Sequence, residues 1–276
     1  MSTHDVAPTT GLQVPEFTDI VYERIATTAV ITMNRPQRYN AFTAHTIDEL
    51  ILAFRAAASD KGVQSVILTG ASDKAFCTGG DVKQRAETGD YGPSETGQLE
   101  VGQLHKLIRD IPKPVIAAVN GLAIGGGHVL HVLCDLTIAA DTARFGQSGP
   151  KVGSFDAGFG SAYLARVVGE KRAREIWYLN HIYDAETAER WGLANKVVPF
   201  AELMDAAHEW AAEIGEKSPT AIRFLKQSFN ADTDHQAGLS AMAMSALDLY
   251  ATTDEGKEGA AAFAEKRAPD FASKML

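Results

Sequence analysis

Two glycine clusters in this 276-residue chain each follow an apolar run: Phe76-Cys77-Thr78-Gly79-Gly80-Asp81, and Gly121-Leu122-Ala123-Ile124-Gly125-Gly126-Gly127. Glycine permits close backbone approach and dihedrals that other residues avoid, so both turns can present bare N–H groups. If the turns meet in space, one amide from each forms a two-donor oxyanion hole for a carbonyl oxygen that gains negative charge. The second cluster leads into a helical pattern, where unpaired N–H groups and the helix dipole both favour an anion. Taken singly, each cluster reads as a tight turn or a helix-packing site. Together they point to oxyanion stabilisation.

Other chemistries find less support. No Gly-x-Gly-x-x-Gly opens a helix and no Gly-Lys-Ser/Thr closes a phosphate loop, which argues against nucleoside triphosphate chemistry. Gly146-Gln147-Ser148-Gly149-Pro150 approaches a nucleophile elbow, but Pro150 stands where its final glycine belongs, so Ser148 is a poor nucleophile candidate. His128, His131 and His235 lack metal-ligand spacing to cysteines or carboxylates; they read as structural or surface residues, and no metal is expected. Cys77 and Cys134 lie in apolar neighbourhoods typical of buried free thiols, which fits a reducing cytoplasm. A disulfide between them or a catalytic Cys77 stays open, without a Cys-x-x-Cys or Cys/His signature behind either.

The elements that must hold these turns alternate β-branched runs with helical patterns: strands at 20–23, 29–33 and 65–69, and a helix at 43–58. Residues 82–98 read as an adaptable surface loop before a helix ending near Pro112. Strands follow at 115–119 and 136–140, with a helix at 129–134 between them. Beyond 162 the pattern is mostly helical, over 162–168, 171–179, 185–191, 203–216, 220–230, 236–250 and 254–265. Strands separated by helices imply an α/β fold with crossover units. Residues 1–16 read as a flexible tail, 17–200 as the core and 201–276 as a helical region, with no internal repeat.

A net charge of −9, a pI near 5.4 and the lack of a Lys/Arg cluster argue against a nucleic-acid partner. The longest apolar runs fall far short of the roughly 20 residues that cross a bilayer, so no membrane partner is expected. A small molecule is the default ligand.

In order and spacing, 76–81, Pro112-Lys113-Pro114-Val115-Ile116-Ala117 with 121–127, Cys134-Asp135-Leu136 and Phe145-Gly146-Gln147 resemble the crotonase (enoyl-CoA hydratase/isomerase) superfamily. The resemblance runs from about Phe17 to the C-terminus. It implies a crotonase (ClpP-like) fold, a repeated β-β-α spiral with a helical C-terminal oligomerisation region, assembled as a homotrimer or homohexamer. The substrate it implies is an acyl-CoA, with no cofactor required beyond that thioester. By the same resemblance the amides of Gly80 and Gly126 hold the thioester oxygen. Thr78, Gly79, Asp81, Leu122, Ile124 and Ser148 would line the substrate path, and Arg38, Ala41 and Lys266 would contact CoA, Lys266 from a neighbouring subunit. For Arg38, solvated surface charge is an equal alternative.

Ordinary hydratases of the superfamily carry two glutamates, at positions that here are Val129 and Gly149. Without them the acid/base pair that adds water to a conjugated double bond is missing. Residues 149–160 instead resemble two ring-chemistry branches, 1,4-dihydroxy-2-naphthoyl-CoA synthase, which closes a ring, and 2-ketocyclohexanecarboxyl-CoA hydrolase, which opens one. In those branches Ser154 and Asp156 bind the acyl portion and transfer a proton, although an Asp beside glycine also commonly caps a turn. The synthase with glycine at the Gly149 position is associated with bicarbonate near residues matching Gln147, Ser148 and Trp177; a plain turn before Pro150 is the alternative. The loop after 81 is short and offers only Tyr91, and 60–81 and 232–258 look closer to the hydrolase, which favours ring opening. Both branches carry a C-terminal tyrosine where this chain has Ala251, one residue after Tyr250. A one-residue displacement turns a helical side chain by about 100°, so Tyr250 is at least as well read as a packing aromatic. A non-catalytic acyl-CoA binder and a generic hydratase/isomerase are the remaining readings.

Overall fold

The computed structural model describes residues 16–274, so the expected tail lies outside the described residues except for Glu16. Two sheets organise the chain. The larger runs in the order β1-β2-β3-β5-β7-β10, and the smaller in the order β4-β6-β8-β9. Their strands are β1 (Ile20–Ile25), β2 (Thr28–Met33), β3 (Ser65–Gly70), β4 (Ala75–Cys77), β5 (Val115–Val119), β6 (Leu122–Ile124), β7 (Leu136–Ala140), β8 (Arg144–Gly146), β9 (Ile182–Asp184) and β10 (Lys196–Val198). Only β1/β2 and β8/β9 pair antiparallel; the other ladders are parallel. Each of the pairs β3/β4, β5/β6 and β7/β8 gives one strand to each sheet, and helices connect the first two pairs onward. This is the β-β-α spiral.

Strand β5 shows why the large sheet is buried on both faces. Val115, Ala117 and Val119 pack into the main core, while Ile116 and Ala118 face a second cluster with Ile67, Ile138 and Ala207. Period-two alternation between two apolar layers produces a continuous hydrophobic run, as expected for parallel strands covered on both sides. Helices α1 (Ala44–Ser59), α2 (Val82–Thr88), α3 (Val101–Asp110) and α4 (Gly126–Leu133) precede β7 in the chain. They are followed by α5 (Leu164–Val168), α6 (Glu170–Leu179), α7 (Ala185–Arg190) and α8 (Leu203–Gly215), the last covering the second apolar layer. The C-terminal helices are α9 (Pro219–Ala231), α10 (His235–Ala251) and α11 (Asp254–Ala264).

The long strands and helices fall within a few residues of their expected positions. Three differences matter. Strands β4, β6 and β8 have no counterpart among the expected strands; at three residues each they are too short for alternation to show. Helix α4 starts at Gly126, not at Val129, which makes Gly126 its first helical residue. Residues 82–88 form α2 rather than loop, because Asp81 caps it by accepting from the Gln84 amide at 3.1 Å.

The C-terminal region is pinned to the core by Lys226, whose Nζ reaches Asp135 at 2.7 Å and donates to the carbonyls of Ile108 and Lys113, both at 3.0 Å. Phe224, Phe229 and Leu249 nevertheless remain 63%, 76% and 70% exposed, leaving apolar surface on α9 and α10. Among the described residues, no helix is long and apolar enough to cross a membrane.

Candidate active site

The two glycine turns meet. Phe42 bridges the first as a one-residue parallel pair, its N–H donating to the Gly79 carbonyl (2.8 Å) and its carbonyl accepting from Asp81 (2.9 Å). That pattern uses the groups flanking Gly80 and leaves the Gly80 amide directed away from Phe42. In the second turn the first helical bond runs from the Val129 amide to the Gly125 carbonyl at 3.1 Å. The amides of Gly126 to His128 therefore have no intrahelical acceptor. A Cβ on Gly79 would stand 2.8 Å from the Gly126 amide nitrogen, and Gly79 has a left-handed φ of 85°. Both features require glycine there. A Cβ on Gly127 would collide with the Cys77 carbonyl, so glycine also lets α4 lie against β4.

Gly80 and Gly126 both line a cavity of about 110 Å³. Phe42, Leu99, Val101, Val129, Met244 and Leu247 give it apolar walls. Thr78, Gly79, Tyr91, Gln147, Ser148, Gly149, Ser154, Asp156 and Trp177 line it as well, so most of the residues expected at the site converge. Tyr91 lies over Gly80, and its hydroxyl accepts from Arg85 Nη1 at 3.3 Å.

Val129 and Gly149, the positions expected from the resemblance to match the hydratase glutamates, both line the cavity without a carboxylate. Asp156 is the cavity's one carboxylate among the described residues. Its Oδ1 accepts from the amides of Gly158 (2.9 Å) and Gly160 (3.0 Å), which fixes the side chain as a turn cap while it still lines the cavity. Asp156 thus caps a turn and lines the cavity at once.

Several expected residues lie elsewhere. Asp81 is buried, caps α2 and pairs with Arg35 at 3.3 Å; it does not line the cavity. Leu122 and Ile124 are β6 strand residues outside the lining, and Ala41 is buried with its carbonyl held by Arg35. Arg38 is partly exposed, 3.9 Å from Asp81, and Lys266 follows α11 at the surface with a φ of 55°. Tyr250 packs on Phe155 with ring centroids 5.5 Å apart and does not line the cavity; burial raises its phenol from the ordinary value.

Of the residues expected around bicarbonate, Trp177 and one end of the Gln147 amide bond within the protein, while Gln147 Oε1 has no partner among the described residues. The Trp177 indole N–H donates to the Gly160 carbonyl at 2.6 Å, and Gln147 Nε2 lies 3.3 Å from His128 Nδ1. A Cβ at Gly149 would stand 2.7 Å from the Ser154 carbonyl and 3.1 Å from the Trp177 ring, so chain and indole occupy that side. Cys77 is a free buried thiol pushed up to about 12 by desolvation, which removes it as a nucleophile, and Cys134 is free as well.

Besides the apolar walls, one polar lining residue lies outside the expected set. His105 is 2% exposed, and neither ring nitrogen has a hydrogen-bond partner among the described residues. The signal was present in α3, where Val101, Leu104, His105 and Ile108 form one buried face at helical spacing with a histidine inside it.

A parallel-sheet spiral whose two glycine turns meet over a small apolar cavity defines a crotonase-fold protein. Residues 23–274 match the family profile described as enoyl-CoA hydratase/isomerase, and the chain belongs to that family. Among similar solved structures is EchA1_1 from Mycobacterium paratuberculosis ATCC BAA-968 / K-10, 31% identical, with a TM-score of 0.83 over 94% of this chain and 100% of that one. An enoyl-CoA hydratase from Mycobacterium avium subsp. paratuberculosis K-10 is 27% identical, with a TM-score of 0.80 over 93% and 99% of the two chains. A monofunctional enoyl CoA isomerase from M. smegmatis is 31% identical, with a TM-score of 0.68 over 78% and 94%. The protein is thus a crotonase-family enzyme that processes acyl-CoA thioesters.

Proposed function

We propose that this enzyme opens the ring of a cyclic β-keto acyl-CoA by hydrolysing a carbon-carbon bond, as 2-ketocyclohexanecarboxyl-CoA hydrolase does. The observation that carries the reading is the carboxylate inventory of the cavity: Asp156 is present, and Val129 and Gly149 replace the hydratase pair. Arg38, Ala41, Thr78 and a neighbouring subunit's surface near Lys266 are the proposed CoA contacts. The exposed apolar residues of α9 and α10 support assembly as a homotrimer or homohexamer.

In this mechanism water attacks the ring ketone, and its proton is taken up on the Asp156 side of the cavity. The adduct collapses, the ring carbon-carbon bond breaks, and its electron pair passes to the thioester as an enolate. The amides of Gly80 and Gly126 hold the enolate oxygen, and Ser154 and Tyr91 orient the ring. The α-carbon then recovers the proton, leaving an open-chain acyl-CoA with a free carboxylic acid that ionises to solvent. Oxyanion donors of this kind each contribute about 3 to 4 kcal/mol to the transition state.

Ring closure of the naphthoyl-CoA synthase type uses the same enolate and the same Asp156, and is the second reading. Purified protein is assayed with 2-ketocyclohexanecarboxyl-CoA, the open precursor of the naphthoyl ring, and crotonyl-CoA, each with and without bicarbonate. A product heavier by one water from the first substrate, at a rate indifferent to bicarbonate, is expected. Naphthoyl product alone, hydration of crotonyl-CoA alone, or thioester binding without turnover overturns the reading in favour of synthase, hydratase or non-catalytic binder respectively.

A further inference from the structure

Two titratable side chains besides Tyr91 face the cavity, and the ring-opening step has so far used one. His105 projects from α3 into the same space as Gly80, Gly126 and Asp156. A buried imidazole with both nitrogens unpartnered carries a desolvation cost that packing alone does not repay, and native proteins rarely leave such groups bare. Phe159 meets the ring edge-on, with centroids 6.3 Å apart, and fixes its orientation without satisfying either nitrogen.

Asp156 lines the same cavity, and its charge opposes the desolvation that lowers the imidazole. Two amides on Oδ1 hold that carboxylate in place and complement its negative charge, which suits a counter-ion better than a proton carrier. An imidazole changes protonation near neutral pH and is the side chain most often used to move protons in catalysis.

The other charges around α3 make their contacts elsewhere, although Arg109 Nη1 is buried without a partner among the described residues. Arg109, one turn along, donates to Thr233 Oγ1 at 2.7 Å and to the Asn230 carbonyl at 3.3 Å, and stacks over Phe159 and Tyr163. Asp48 of α1 accepts from the Glu95 amide, Lys226 of α9 pairs with Asp135, and Asp248 of α10 is exposed. His128 and His131 of α4 are buried and held neutral by desolvation.

We propose that His105 carries the catalytic proton, with Asp156 as its fixed counter-ion, a role that rests on the ring-opening reading above. One O–H bond of the attacking water breaks as its oxygen bonds to the ketone carbon, and the proton passes to an imidazole nitrogen. The imidazolium, stabilised by Asp156, gives that proton to the α-carbon once the ring bond has broken and the enolate has formed. No other reactant is needed. Burial lowers the His105 pKa and Asp156 raises it, so the imidazole starts neutral and can accept a proton.

The test is ¹⁵N-histidine NMR on the full-length enzyme, with acetoacetyl-CoA as a β-keto thioester that has no ring to open, followed by kinetics on the cyclic substrate. Acetoacetyl-CoA is expected to shift the His105 resonances and leave those of His131 in place. D156N is expected to lower the His105 titration midpoint by about one pH unit. H105Q and H105N are expected to lower kcat about 100-fold with KM changed by less than about twofold. His105 resonances indifferent to both the thioester and D156N overturn the proposal, and need no variant at His105 to fold. Full turnover by H105Q overturns it while leaving ring opening intact. If wild type fails on cyclic substrates but His105 responds as expected, ring opening fails and the His105–Asp156 pair stands.

Discussion

Gly79 rests directly on Gly126: a Cβ on the first would stand 2.8 Å from the amide nitrogen of the second. The contact joins two turns 47 residues apart in sequence and sets the spacing between the amides of Gly80 and Gly126. Gly79→Ala forces a side chain into the contact at a backbone φ of 85°. It is expected to lower kcat/KM by about 100- to 1000-fold, in the range of losing one oxyanion donor. Thermal unfolding checks that the fold survives, and steady-state kinetics gives the loss.

Asp156→Asn keeps an oxygen that can accept from Gly158 and Gly160, so the turn should persist, but it removes the charge. The expected result is a fall in kcat of about 100- to 10 000-fold, with the dissociation constant of a CoA thioester changed by less than about twofold. Calorimetric titration and single-turnover kinetics separate the two.

Lys226→Ala leaves Asp135 without its cation and three oxygens without their shared donor. Removing one partner of a buried pair costs about 3 to 5 kcal/mol, and the partial exposure of Asp135 places this case near the lower end. Urea unfolding should show the lowered midpoint, and Lys226→Met combined with Asp135→Asn should recover part of it.

Among the described residues, three buried histidines couple folding to pH. Desolvation lowers His105, pulls His128 down to about 3, and holds His131 well below its ordinary value with His128 adding to the effect. Between the ordinary value near 6.5 and those depressed values, the unfolded chain binds more protons than the folded one. Stability is therefore fully present above about pH 6.5 and falls as pH drops below it, by at most about 1.4 kcal/mol per pH unit for each histidine. Urea midpoints measured from pH 7.5 to 5 should decline accordingly, and replacing His131 with a neutral isostere should flatten the slope.

The spiral was legible where apolar runs were long, because five or six consecutive buried residues leave a strong mark in sequence. The second sheet was not, since Ala75–Cys77, Leu122–Ile124 and Arg144–Gly146 become strands only by pairing with one another. Site residues carried by glycine turns were readable from composition and spacing. The cap that Asp81 makes is not readable from sequence, because an Asp after two glycines suits a ligand path and a helix cap equally, and its ion pair with Arg35 is a tertiary contact 46 residues apart. His105 shows in sequence as a histidine inside an apolar helical face, but nothing in that pattern says that a cavity lies opposite.

The most direct test is a crystal structure of the enzyme with a slowly turned over cyclic β-keto CoA thioester. The thioester oxygen is expected within about 3 Å of both the Gly80 and Gly126 nitrogens, with the ring ketone on the Asp156 side of the cavity. An oxygen bonded to neither amide, or a ring lying outside the cavity, would contradict the account.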